Sequence, residues 1–220
     1  MTIEMRGSDM ELRPDDVRVV DAFQEIWRRC GNLDRVKYFG VPILKNPVDL
    51  LAYQQIMFDL MPDVVVETGT CYGGSALYLA HLCQLLGHGH VFTIDREPRG
   101  PLPPVHNRLT YVLGDSVAPA TVAQVKQLAA GRSALVILDS DHACQHVLAE
   151  MVAYQELVPR GGYLIVEDTN INGHPIYPGH GPGPWEAVEI FLADFGEEFV
   201  IDTTREYLTT YNPRGYLRRV

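Results

Sequence analysis

Two apolar runs of the chain end in groups able to do chemistry. "SALVILD" (133–139) leads into Asp139, Asp141 and His142, and "GYLIVED" (162–168) ends on Glu167 and Asp168. A charge leaving a buried strand needs a partner or a job. Carboxylates that converge repel one another unless a cation joins them. An all-oxygen set suits a hard ion, Mg²⁺ first and Mn²⁺ or Ca²⁺ next. Neighbouring strand residues face opposite ways, so Glu167 and Asp168 can both bind one ion only if the strand ends between them; Asn170 is the alternative ligand. Asp141 suits a helix N-cap as well as a site. His142 is the base candidate, because a near-neutral imidazole can take a hydroxyl proton. His146, one turn further on, reads as packing or surface.

A second constellation lies upstream in "VETGTCYGGSA", with Glu67, Gly69, Thr70, Gly73 and Ser75. The glycines allow a tight turn and close backbone approach, and Gly74 and Ser75 open a helix. The spacing is not the dinucleotide fingerprint GxGxxG. The acid just before the loop would repel a pyrophosphate, whereas a sulfonium bearing an amino group would be welcome there. S-adenosylmethionine fits that description. Asp95, at the end of "HVFTID", could accept both ribose hydroxyls. Asp115 and Ser116 of "LGDS" would then flank the adenine.

The elements that must position these groups alternate. Buried strands are expected at "DVVVE", "HVFTID", "RLTYVLGD", "SALVILD" and "GYLIVED". Helices are expected at "GGSALYLAHLCQLL", "PATVAQVKQLAA" and "CQHVLAEMVAYQELV" between them. Continuous apolar strands separated by helices indicate a doubly wound parallel α/β sheet covered on both faces. Ligands then sit beyond the carboxyl ends of the strands. After the helix "PWEAVEIFLADF", the segments "EFVID", "EYLTTY" and "GYLRRV" read as strands, giving an antiparallel C-terminal edge. Upstream, residues 1 to about 14 look loose, and Val17, Val20, Phe23, Ile26 and Trp27 trace an amphipathic helix from Asp15 to about Arg29. "YFGVPILKNP" reads as a loop and "PVDLLAYQQIMFDL" as a helix opened by proline. This divides the chain into an N-terminal arm and helix (1–37) and a single domain (38–220).

Whole-chain properties narrow the class. The chain has 220 residues, 46% hydrophobic and 21% charged, with a formal net charge of −10. That charge argues against broad binding to nucleic acid or an anionic membrane. No apolar run approaches the ~20 residues a membrane helix needs, and the N-terminus lacks the apolar core of a signal peptide. Cys30, Cys71, Cys83 and Cys144 show no metal-type spacing and read as reduced thiols of a cytoplasmic protein.

Taken together, "PDVVVETGTCYGGSALYLA", "VILDSDHACQHVLAEM", "GGYLIVEDTNINGHP", "GPGPWEAVEIFLADF" and "YNPRGYLRRV" resemble one group of class I methyltransferases. This is the family of cephalosporin hydroxylases and rhamnosyl O-methyltransferases, and the similarity runs from about Tyr38 to the C-terminus. The resemblance implies a Rossmann-like, mostly parallel seven-stranded sheet, S-adenosylmethionine as donor and a bound Mg²⁺. It matches the family's metal acids to Asp139, Glu167 and Asp168, and its cofactor residues to Glu67, Gly69, Gly73 and Asp95. It further implies a homo-oligomer, for which the N-terminal helix would serve.

The expected activity is metal-assisted O-methyl transfer to a small hydroxylated acceptor, a sugar or polyketide-like natural product, with Asp139 on the metal and His142 as base. Tyr177 and Trp185, in a Pro- and Gly-rich loop, could stack on the acceptor. Two alternatives stand beside it. An NAD-dependent oxidoreductase on a similar sheet is opposed by the missing fingerprint and the surplus acids. A cofactor-binding accessory protein without catalysis is opposed by the intact set of Asp139, His142, Glu167 and Asp168.

Overall fold

The computed structural model describes residues 13–97 and 104–220; residues 1–12 of the stretch expected to be loose lie outside the described residues. In chain order the elements are α1 (Pro14–Arg29), β1 (Lys37–Tyr38), β2 (Val41–Pro42), α2 (Pro47–Leu60), β3 (Val64–Thr68), α3 (Gly74–Leu85), β4 (His90–Asp95) and β5 (Leu109–Leu113). They continue with α4 (Pro119–Ala129), β6 (Ala134–Leu138), α5 (Cys144–Tyr154), β7 (Tyr163–Val166), α6 (Pro184–Phe195), β8 (Phe199–Ile201) and β9 (Tyr216–Arg219). Four helices begin on a proline, Pro14, Pro47, Pro119 and Pro184. At the first helical position its missing N–H costs nothing and its fixed φ is already helical.

Seven strands form one sheet in the order β5-β4-β3-β6-β7-β9-β8. The run from β5 to β7 is parallel, and β9 lies antiparallel to both β7 and β8. β3, β6 and β7 are buried along their whole length, which is why they read as unbroken apolar runs rather than alternating ones. Their pleat still alternates. Val64, Val66, Val136 and Leu138 pack with Val125, Met151 and Phe191 from α4, α5 and α6. Val65, Leu135 and Ile137 pack on the other face with Ile56, Met57 and Leu79 from α2 and α3. Chain order reverses between β3 and β6, and a cleft opens there at the carboxyl ends, as expected at a switch point.

Two expectations need correction. "EYLTTY" is not a strand. Thr210 N–H bonds back to Tyr207 O, and Thr210 Oγ1 and Tyr211 N–H both donate to the buried Asp49 carboxylate. The backbone groups a ladder would need are spent on a turn and an acid. "YFGVPILKNP" is not wholly loop, since β1 and β2 pair within it as a short antiparallel hairpin. On α1, Val17, Phe23 and Ile26 are exposed, and Gln24 is the helix's buried residue. Gln24 ties α1 to the domain by donating to Thr210 O and accepting from Asn170 Nδ2. Among the described residues no helix is long and apolar enough to cross a membrane, and none of the four cysteines is in a disulfide.

Candidate active site

The cleft encloses about 430 Å³, within the range of small-molecule sites. One side is formed by Gly69, Thr70, Ser75, Asp95, Asp115 and Ser116, and the other by Asp139, His142 and Asp168. Both sequence constellations therefore face one space.

On the first side, the chain leaves β3 in a left-handed turn at Gly69 (φ 87°), whose N–H donates to Ile94 O at 2.8 Å. A Cβ there would lie 1.8 Å from the backbone oxygen of Asp139. The glycine is needed for contact with β6 as much as for a ligand. Gly74 is similar: a Cβ would fall 2.2 Å from Pro42 O. Gly73 forms the left-handed N-cap of α3 and abuts Pro104. Asp95 accepts from Cys71 N–H at 2.8 Å, which ties the loop to the end of β4. A carboxylate has about four lone-pair sites, so Asp95 keeps capacity for hydroxyls in the cleft. Glu67 lies beneath the loop, fully buried. Its Oε2 accepts from Thr93 Oγ1 at 2.6 Å, and its Oε1 has no hydrogen-bond partner. Burial pushes its carboxyl up to about 6, with Lys45 pulling the other way. An unpartnered buried acceptor below a glycine turn suits a ligand carrying an ammonium group.

On the second side, Asp139, His142 and Asp168 each present one ligand atom, all within 4.8 Å of one another. One ion at ordinary ligand distances of about 2.0–2.6 Å can span such a triangle. The donors fit a divalent cation, although the convergent set includes an imidazole where carboxylates alone were expected. The backbone separates the pair: β7 ends at Val166, before both acids, and Asp168 takes a left-handed φ of 54°, so that Asp168 and not Glu167 joins the triangle. That turn is held from outside the strand. Asp168 N–H donates to Asn212 Oδ1 at 3.0 Å, Asn212 Nδ2 donates to Tyr53 OH, and Thr169 Oγ1 donates to Pro213 O. His142 Nε2 lies 3.6 Å from Asp168 Oδ2. Desolvation raises the Asp168 carboxyl above its ordinary value, against the pull of His142.

Glu167 points elsewhere. It is buried, with Oε1 lying 2.6 Å from Lys45 Nζ, and Lys45 also contacts Asp139. Burial raises the Glu167 carboxyl and Lys45 opposes it. For Lys45, burial lowers the ammonium, but the surrounding carboxylates of Asp139, Glu167 and Glu67 outweigh it and hold the charge. Lys45 escaped sequence reasoning; its one signal is a lone cation set among apolar residues in "PILKNP".

Other groups also differ from expectation. His146 is not idle packing: it lines the cleft, with Nε2 3.1 Å from both Ser116 Oγ and Ser140 Oγ, above the buried Glu150. Hydrogen bonding to Glu150 raises its pKa. Asp141 accepts from Ala143 N–H two residues on, just before α5, whose N-cap is Ala143 itself. Asn170 is fully buried and gives its amide to Gln24. Tyr177 is exposed and lies under Arg28 of α1, while Trp185 stacks on His174 with Arg214 over its ring.

The strand order, the glycine turn after β3 and the acid closing β4 define a class I methyltransferase fold around this cleft. The family described as Rhamnosyl O-methyltransferase/CmcI matches residues 30–220, and the chain belongs to it. It is accordingly an O-methyltransferase. Among its relatives, a rhamnosyl O-methyltransferase of Mycobacterium tuberculosis is 39% identical over 213 residues, covering 92% of this chain and 87% of the relative. That of Mycobacterium leprae is 36% identical over 218 residues, covering 96% and 95%. A solved structure of CmcI described as its Mg-SAM form superposes with a TM-score of 0.66 at 24% identity, covering 85% of this chain and 77% of that one.

Proposed function

We propose that this enzyme transfers the methyl group of S-adenosylmethionine to a hydroxyl of a sugar borne on a small natural-product scaffold, with Mg²⁺ in the acidic half of the cleft. The observation that carries the reading is the opening of the glycine turn and the Asp139–His142–Asp168 triangle into one space. The relatives' activity on rhamnosyl groups points to a deoxysugar as acceptor.

Gly69, Thr70 and Ser75 would receive the methionine part of the donor, with Gly73 shaping the turn and Glu67 beneath it facing the ammonium. Asp95 would take the ribose, and Asp115 and Ser116 the adenine. Asp139, Glu167 and Asp168 would hold the ion, Glu167 by exchanging its contact with Lys45. When bound, Mg²⁺ supplies a Lewis acid that lowers the pKa of the acceptor hydroxyl. His142 takes the proton at Nε2, and Asp168, 3.6 Å away, stabilises the imidazolium. The hydroxyl oxygen forms its bond to the methyl carbon as the carbon–sulfur bond breaks, and sulfur leaves with the electron pair as a neutral thioether. Most of the rate comes from holding the reactants in line.

The test is methyl transfer from labelled S-adenosylmethionine to a panel of rhamnosylated and other glycosylated acceptors. Excess chelator should abolish turnover and Mg²⁺ should restore it. Undiminished turnover in chelator would remove the metal, and labelling of none but sugar-free acceptors would remove the acceptor class. We also place the enzyme in the cytoplasm, on its disulfide-free cysteines, and as a homo-oligomer, on the exposed Val17, Phe23 and Ile26 of α1. Light scattering that reports a monomer would refute the latter.

A further inference from the structure

We propose that Lys45 is a built-in counter-cation of the acidic cleft: it holds Asp139 and Glu167 in place while the metal is absent and yields their oxygens when a divalent ion arrives. The inference rests on the metal reading above and adds a positioning residue to it.

Three observations support it. Lys45 Nζ contacts Asp139 and lies 2.6 Å from Glu167 Oε1, so the ammonium sits on two of the three acids assigned to the ion. Its side chain is 3% exposed, unlike the usual lysine, which keeps its head in water. Its backbone is also fixed. Ile43 N–H bonds Val36 O at 3.2 Å on one side, and Asn46 Oδ1 accepts from Val48 N–H to cap α2 on the other. The ammonium is therefore delivered to the acids by the start of α2 rather than reaching them by chance.

The physical need is plain. Asp139, Glu167 and Asp168 crowd the ends of two adjacent strands, where like charges disfavour ionisation and push the segments apart. A single ammonium between two of them lets the strand ends close before any metal is bound. Removing one partner of a buried pair is strongly destabilising because the other is left uncompensated, but here a second cation can supply the missing compensation.

The experiment compares full-length wild type, Lys45→Met and Lys45→Arg by thermal melting with and without saturating Mn²⁺, and by calorimetric Mn²⁺ titration. Lys45→Met should melt well below wild type without metal and recover most of the difference with it, and it should bind Mn²⁺ at least about tenfold more tightly. Lys45→Arg should stay near wild type. An equal loss of melting temperature with and without Mn²⁺, or unchanged Mn²⁺ affinity, would overturn the inference and leave the metal reading standing. Failure of wild type itself to bind Mn²⁺ would overturn both. Should Lys45→Met not fold, ¹⁵N-lysine-labelled wild type decides. The Lys45 ammonium resonance should shift on adding Mg²⁺, and an unmoved resonance in metal-saturated protein refutes the exchange.

Discussion

The two halves of the cleft are held in different ways. At the ends of β3 and β4 the groups are fixed by backbone close at hand: the left-handed Gly69, the Gly69 and Thr70 amides on Ile94, and Cys71 N–H on Asp95. At the ends of β6 and β7 the fixing partners come from far along the chain. Lys45 reaches Asp139 across 94 positions, Asn212 reaches Asp168 across 44, and Gln24 reaches Asn170 across 146. The donor half thus depends on backbone sterics, and the acidic half on buried polar groups that must each find a distant partner. Substitutions in the two halves should fail in different ways.

The largest effect is expected at Asp168. Asp168→Ala should lower methyl transfer on the order of 10³-fold by removing metal and imidazolium support together, while affinity for S-adenosylmethionine, measured by calorimetry, stays near wild type. Parallel loss of turnover and cofactor affinity would erase the distinction between the halves. Next comes Gly69→Ala, which must place a Cβ 1.8 Å from Asp139 O at a φ of 87°. Urea denaturation should show a loss of about 3 kcal/mol or more. Gly131→Ala, at φ 70° with open space around it, should lose only about 1 kcal/mol. Equal losses would mean that strain at φ, not the contact with β6, is what matters.

A smaller effect is expected at Asn212, whose side chain serves both Asp168 N–H and Tyr53 OH. Asn212→Ala should cost about 2 kcal/mol, because buried groups lose their partners, and should lower turnover without weakening cofactor binding. Weaker cofactor binding instead would show that the acidic half reaches across the cleft. The smallest effect concerns pH. Burial pushes the Asp49 carboxyl up to about 6, although Thr210, Tyr211 and Tyr216 bond to it. The folded chain then keeps a proton that the unfolded chain has lost. The resulting stability is fully present below about pH 4 and disappears as pH rises through about 6, with a slope of at most about 1.4 kcal/mol per unit. Asp49→Asn should flatten stability in that window; a persisting slope would assign it to another group.

This contrast also explains what could be read from the sequence. "PWEAVEIFLADF" coincides with Pro184–Phe195, and the apolar runs from "DVVVE" to "GYLIVED" became the parallel strands, because burial on both faces and proline starts are local properties. Asp95 and the Gly69 turn were legible for the same reason. Lys45 was not, since nothing near it in sequence announces a carboxylate 94 positions away. "EYLTTY" has the composition of a strand, but Asp49, 161 positions from Thr210, claims its polar groups. The amphipathic stripe of α1 was legible, but not that the helix meets the domain through the polar Gln24. The turn at Asp168 that separates it from Glu167 was likewise set by a residue outside its own strand.

The contact between Gly69 and the backbone of Asp139 has a consequence for chemistry outside the pocket's chemical groups. The glycine turn proposed above for the methyl donor touches the strand that ends in the acidic half, and Asp139 N–H donates to Thr68 O at 3.1 Å beside it. The spacing between donor and metal half is then a constant of the sheet, not a variable that loops can tune. On the proposed function, the choice of acceptor hydroxyl then falls to how the outer walls of the cleft tilt the acceptor. Redirecting regiochemistry is accordingly a task for the surface segments around the cleft mouth, with Gly69 and Asp139 left untouched as a fixed ruler.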